Sequence, residues 1–479
     1  MNYNDFLKMI PEASLVAILI ILFVSDFVTA KKESRKWFNP LACVLLFINT
    51  ILCLTITSSE NAFEGMYVTT SSVNIMKAIL SMGTFIVVLQ SRVWAEKSGK
   101  EGEFYMLIVS TLLGMFAMMS AGNFLMFFLG LEMASVPLAC AVAFDKHSKN
   151  SAEGAAKFIL TATFSSGVML YGISFLYGAC GTLYFEDIAA NINANPLTIA
   201  GLVFFFSGLG FKISLVPFHF WTADTYQGAP TTVTGYLSVI SKGAAAFTLL
   251  SILFHVFGSM VEYWHVMMMI VIVLSITIAN LFAIRQNELK RFMAFSSISQ
   301  AGYIMLSAIG NDWTNSVSSL SYYVLIYIVA NMAVFTIISV VEQNNNGKTE
   351  IDDYKGFYKT NPKLSFLMTI AMFSLGGIPP FAGMFSKFFV FMAGVNGADI
   401  NTKMGVWAYA VVFIALINTV VSLYYYLKIV KAMYIKHSDA PLPTFKSDNN
   451  TKFALAICTS GIILFGVCSY IYEWIAAAA

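Results

Sequence analysis

The stretch GLGFKISLVPFHFW, residues 208–221, sets a lysine, a proline and a histidine inside a run apolar enough for a membrane. A lysine at the bilayer centre costs between about 3 and 10 kcal/mol. Pro217 lacks an N–H and clashes with the carbonyl of residue 213, so it breaks the helix one turn beyond Lys212. Both exceptions stand out because the rest of the chain is so apolar. Of its 479 residues, 58% are hydrophobic and only 11% charged, with a mean hydropathy of +0.73. Soluble domains carry about 25% charged residues. The chain therefore reads as an integral membrane protein.

Within hydrocarbon every backbone polar group must be satisfied internally, which leaves helices or closed barrels. The apolar runs are far longer than the roughly 10-residue strands of a barrel and lack strict alternation. The expected fold is an all-α polytopic membrane protein of fourteen spans. They lie near 14–30, 41–57, 73–94, 104–121, 123–143, 155–177, 200–220, 231–257, 262–283, 291–310, 316–341, 363–394, 405–436 and 452–475. Spans 4 and 5 are parted only by Ala121-Gly122-Asn123. The first run is preceded by Asp5, Lys8 and Glu12 and followed by KKESRK, the reverse of a signal peptide's charge order, so span 1 is expected to stay uncleaved.

Most of the 28 basic residues fall in loops after odd-numbered spans, among them Lys31, Lys32 and Arg35, Arg92 and Lys97, Arg285 and Arg291, and Lys348 and Lys355. By the positive-inside rule those loops are cytoplasmic and both termini lie outside. The net charge of +2 gives no basis for nucleic-acid binding. The six cysteines are scattered without a CxxC pair and read as small buried hydrophobes, and no metal cluster, Walker loop or dinucleotide fingerprint is present.

Four lysines remain inside spans. Lys77 lies near the outer end of span 3, where snorkelling accounts for it. Lys212, Lys242 and Lys387 are deeper, and the one deep acid is Glu132 in FLGLEMASVPLAC. An ion pair locking two helices would explain one lysine, but one acid cannot neutralise three. Desolvation and a nearby carboxylate push a lysine's proton affinity in opposite directions, so a set of this kind suits proton transfer. A second helix breaker supports that reading: LGGIPPFAGMFSKFF, residues 375–389, places Gly376, Gly377, Pro379, Pro380 and Gly383 just before Lys387. Broken helices at membrane depth mark ion sites in transporters. Spans 7 and 12 are five apart, and an odd offset implies an inverted repeat of spans 4–8 and 9–13. The expected organisation is a three-helix segment 1–103, repeats 104–257 and 258–436, and a C-terminal loop and span 437–479. His219 and Asp224 serve either proton entry or loop fastening, and His255 either an exit relay or no role.

At these residues the chain resembles the antiporter-like proton-pumping subunits of respiratory complex I and the related multisubunit cation/proton antiporters. The matching stretches are GLEMASVPL (130–138), FKISLVPFHFWTADTYQGAPTTVTGYLSVISKGAAAF (211–247), LKRFMAFSSISQAGY (289–303) and LGGIPPFAGMFSKF (375–388). The resemblance covers about 104–430 and implies that Glu132 faces Lys212, that Lys242 relays, and that Lys387 is the central or exit-side lysine of the second half. It implies a membrane-arm subunit that itself binds no cofactor, in a complex using NADH, FMN, iron–sulfur clusters and a quinone. M-type and small K-type membrane subunits are the expected neighbours. A sodium/proton antiporter subunit, or a structural subunit with an inert polar axis, are the alternatives.

Overall fold

Long apolar runs close their backbone hydrogen bonds within one segment, and they do so here as helices. The computed structural model describes residues 3–29, 35–345, 347, 349–438, 441–468 and 470–479. Lys31, Lys32 and Lys348, on which the charge pattern partly rests, lie outside them. Among the described residues, thirteen helices are long and apolar enough to cross a membrane. Two shorter apolar helices, Pro362–Gly376 and Ala382–Val395, occupy the segment expected as the second broken span.

The narrow split between spans 4 and 5 is real. Helix Glu101–Met119 ends, and the Asn123 side chain caps Phe124–Val142 by accepting from the Met126 amide at 2.7 Å. Gly122 is required there, because a Cβ would fall 2.0 Å from the Gly65 carbonyl oxygen. That carbonyl lies in the turn joining a short antiparallel ribbon, Glu60–Ala62 with Tyr67–Thr69, which the all-helical expectation did not contain. Span 6 is longer than expected: Lys149–Cys180 has 32 residues, about 48 Å at 1.5 Å per residue, more than a 30 Å hydrocarbon core. Span 14 is shorter, ending at Val467 and followed by a separate helix, Tyr470–Ala477. Of the six cysteines, Cys43, Cys53 and Cys458 are buried, whereas Cys140 and Cys468 are exposed on the apolar surface.

The chain forms two compact units, residues 1–214 with 240–267 and 478–479, and residues 215–239 with 268–477. In the first, glycines let helices touch backbone to backbone. A Cβ on Gly114 would come within 2.3 Å of the Ala134 nitrogen, and one on Gly130 within 2.5 Å of the Met118 nitrogen. Gly172 does the same for Lys149–Cys180 against Pro196–Ile213, its Cβ position lying 2.6 Å from the Phe205 nitrogen. In the second unit, the apolar stretches of helical segments 289–309 and 313–344 are buried throughout and carry many of its internal polar residues, among them Ser296, Ser297, Gln300 and Asn331. One irregularity had no sequence forecast: span 8 widens into a π-helical turn at Leu237–Ser241, directly before Lys242.

Candidate functional site

Both broken spans use the same backbone device despite different residues. Pro196–Ile213 stops at Ser214, which takes a left-handed conformation (φ 66°), and Pro217 follows three residues later behind a cis peptide bond. Pro362–Gly376 stops at Gly377 (φ 84°), and Pro380 follows three residues later, also behind a cis bond. The lysines occupy opposite sides of these breaks: Lys212 is the penultimate residue of the helix before, and Lys387 lies in the helix after, Ala382–Val395.

In the first unit Lys212 is buried, and its Nζ donates to Ser135 Oγ at 2.8 Å, with the Phe158 ring centroid 5.9 Å away. Ser135 stands one turn after Glu132 on Phe124–Val142, so the two share a helix face. Glu132 is the acid close enough to act on Lys212 electrostatically. The two do not form a direct ion pair: Glu132, half-buried, instead accepts a short hydrogen bond from Ser166. Two serines thus stand at the acid and the lysine. Lys242 is also buried, at the first position after the π turn.

Lys77 corrects the snorkelling expectation. It is 0% exposed, and its Nζ lies 2.7 Å from Glu12 Oε1. Tyr67 donates to Glu12 Oε2 at 3.0 Å, Ser120 donates to Oε1 at 3.4 Å, and Lys77 also donates to the Tyr67 hydroxyl at 3.3 Å. Glu12 is therefore a buried acid, inside helix Ile10–Thr29 and not on its flank.

In the second unit Lys387 Nζ donates to the Gly376 carbonyl at 3.2 Å and sits 5.0 Å from the Tyr303 ring centroid. Gly376 ends the preceding half-helix, so the ammonium meets the negative end of that helix dipole. Among the described residues no carboxylate contacts Lys387. A cavity of about 10 Å³, the size of one water, is lined by Lys387, Gln300, Tyr323, Tyr327, Ser374 and Ser386 among others. Gln300 is the hub: its amide donates to the Leu375 carbonyl at 3.2 Å and to the Tyr426 hydroxyl at 3.1 Å, and it accepts from Tyr323. Tyr426 bonds Ser296 at 2.6 Å, while Ser297 reaches Tyr226 at 3.2 Å and the Ser238 carbonyl at 3.5 Å. Asn331 donates to Ser238. Tyr327 Oη, Asn331 Oδ1 and Ser299 Oγ are buried without hydrogen-bond partners among the described residues.

Of the accessory candidates, Asp224 forms an ion pair with Arg291 at 2.6 Å, which fastens helix Phe220–Gly228 to Leu289–Met305. His219 is buried at the start of that first helix, its ring stacked on Phe220. His255 is exposed, its Nδ1 2.9 Å from the Ser251 carbonyl of its own helix. Sequence reading passed over Ser135, Ser166, Gln300 and Tyr303. The signal for Ser135 was its three-residue spacing from Glu132, and SSISQAGY within 289–303 was a polar run in an apolar span.

Comparison with known proteins gives a consistent picture. The family described as NADH:quinone oxidoreductase/Mrp antiporter, TM, matches residues 121–418. NADH-quinone oxidoreductase subunit N of Phocaeicola vulgatus is 54% identical, with all of both chains covered. The subunit N of Azobacteroides pseudotrichonymphae is 48% identical over 99% of this chain and 98% of that one. Among solved structures, a chain of respiratory complex I from Thermus thermophilus with bound aureothin is 26% identical, covering 98% of this chain and 100% of its own, at a TM-score of 0.80. A chain of the Mrp complex from Dietzia sp. shares the fold at a TM-score of 0.82 and 18% identity, covering 98% and 97%.

Proposed function

The chain belongs to the NADH:quinone oxidoreductase/Mrp antiporter transmembrane family, and from that premise we propose that it is the N-type proton-translocating subunit in the membrane arm of a bacterial NADH:quinone oxidoreductase. Redox chemistry takes place elsewhere in the complex, on NADH, FMN, iron–sulfur clusters and a quinone. This chain contributes charge movement alone and sits among M-type and small K-type membrane subunits. Both termini face the periplasm, as the loop lysines and arginines favour.

One observation carries the reading. Lys387 is buried at a helix break, held by a carbonyl and an aromatic face with no carboxylate against it. A buried lysine with no carboxylate fixed against it suits uptake and release of a proton. Glu132 and Lys212 form the input, with Ser166 and Ser135 as their polar contacts. Lys242 continues the path, and Gln300, Tyr323, Tyr426 and the serines of Leu289–Met305 supply donors and acceptors towards Lys387. Tyr327, Asn331 and Ser299 offer the unsatisfied atoms that a hydrated proton path needs. Moving one charge against 100 mV costs about 2.3 kcal/mol, comparable to a lysine proton-affinity swing of about two pKa units. Identity of 54% to a subunit N along the full chain favours this role over a sodium/proton antiporter, the Mrp chain of the same fold being 18% identical.

The test is NADH-driven proton uptake by inverted vesicles carrying Lys212→Ala or Lys387→Ala in an assembled complex. Loss of pumping in both is expected, and full pumping in both would leave an inert polar axis. Sodium-dependent transport without redox subunits would favour the antiporter.

A further inference from the structure

A separate basic pocket lies in the second unit, away from the polar axis. Its volume is about 800 Å³, and its walls come from the starts of Pro362–Gly376 and Asn449–Val467 and from the loop between 444 and 447. That loop is fixed in place. Asn361 donates to the Pro443 carbonyl at 2.9 Å, the Phe445 amide donates back to Asn361 at 2.9 Å, and Thr444 donates to the Thr360 carbonyl at 3.1 Å.

The lining is graded. Lys363, Lys446 and Lys452 are exposed around the mouth and make no ion pair among the described residues, and no acidic side chain lines the pocket. Lys363 and Lys452 stand in the first turns of their helices, at the level where a span meets water. Beside Lys363 lies Leu364, and one turn further along lie Leu367 on the same wall and Leu455 on the other. A cationic rim above an apolar wall matches a molecule with an anionic head and a hydrocarbon tail. A soluble anion has no use for the leucines, and a neutral lipid leaves three ammonium groups uncompensated.

We infer that this pocket binds an anionic glycerophospholipid, its phosphate among Lys363, Lys446 and Lys452 and an acyl chain against Leu364, Leu367 and Leu455. Basic pockets between membrane helices at the cytoplasmic boundary recognise such headgroups. The site is independent of proton transfer, and none of its lysines lies on the proposed proton path.

Amine-acetylation footprinting tests it, using the full chain in its native assembly, purified in neutral detergent. The probes are dioleoyl-phosphatidylglycerol, dioleoyl-phosphatidylcholine and inorganic phosphate, with exposed Lys359, outside the pocket, as the internal reference. Phosphatidylglycerol is expected to protect Lys363, Lys446 and Lys452 together and to leave Lys359 reactive, while phosphatidylcholine protects none. Lys446→Ala, in an exposed loop, should raise the phosphatidylglycerol concentration needed for half-protection of the other two about fivefold, and Lys452→Gln should do the same. Equal protection by phosphatidylcholine, or by inorganic phosphate at the same concentration, overturns the lipid assignment. So does a set of lysines already unreactive before lipid is added, which would mean a protein segment covers the pocket.

Discussion

Lys77 and Lys387 are the same side chain at similar burial, in different settings. Lys77 has a carboxylate at 2.7 Å whose oxygens also accept from Tyr67 and Ser120. Every charge in that cluster is answered. Lys387 has a carbonyl, a ring face and a water-sized cavity. Burial by itself therefore does not distinguish a lysine that fastens helices from one suited to carry a proton. The counter-charge does.

The largest expected effect falls on Lys387. Lys387→Met should lower NADH-driven proton translocation by about tenfold or more, because a charge-bearing step with no alternative carrier is lost, while the unfolding temperature of the assembly stays near that of the parent. Lys77→Met should show the opposite split, with turnover per assembled complex kept and thermal stability lowered. If both variants lose turnover equally, the contrast fails.

Next comes the acid side of the closed cluster. Glu12→Gln leaves Lys77 buried and unpaired, at a cost of about 3 to 5 kcal/mol. Adding Lys77→Met should recover most of that loss, a non-additivity readable by thermal denaturation in detergent. Independent, additive losses would show that the pair is not the unit of stability.

A smaller effect is expected at Ser135, the contact of Lys212. Ser135→Ala removes a hydrogen bond to a charged group worth about 2 kcal/mol, and should shift the pH dependence of pumping more than its stability. Smallest is Asp224→Asn. Its partner Arg291 is about one-third exposed, and pairs of this kind contribute about 0 to 1 kcal/mol. A large pumping defect in Asp224→Asn would return that residue to the proton path.

The legible parts of this molecule were those where charge or helix-breaking chemistry interrupts an apolar run. Lys212, Lys242 and Lys387 stood out for that reason, as did Pro217 and the Gly376–Pro380 segment, because hydrocarbon makes such residues costly. Glu12 escaped notice because a carboxylate at the head of a span reads as a solvated flank, and its partner lies 65 positions away in sequence. Gln300 and Tyr303 were inside a stretch already singled out, yet uncharged side chains carry too little cost in sequence to be told from ordinary helix contacts. The serines at Glu132 and Lys212 were invisible for another reason: whether two charges touch or stand apart is a matter of ångströms, which the order of residues does not fix.

The π turn at Leu237–Ser241 bears on how this chain tolerates insertion and deletion. A π turn accommodates an added residue by widening the hydrogen-bond loop from four to five. Each helical residue turns the chain by about 100°. Deleting a single residue between 237 and 241 would let the segment close as an ordinary helix and keep Lys242 facing much as it does now. The same deletion a few residues later, within Lys242–His255, would rotate everything beyond it onto a different face. The wide turn thus acts as a reading-frame joint for span 8, the place where its length can change by one without redirecting the lysine that follows.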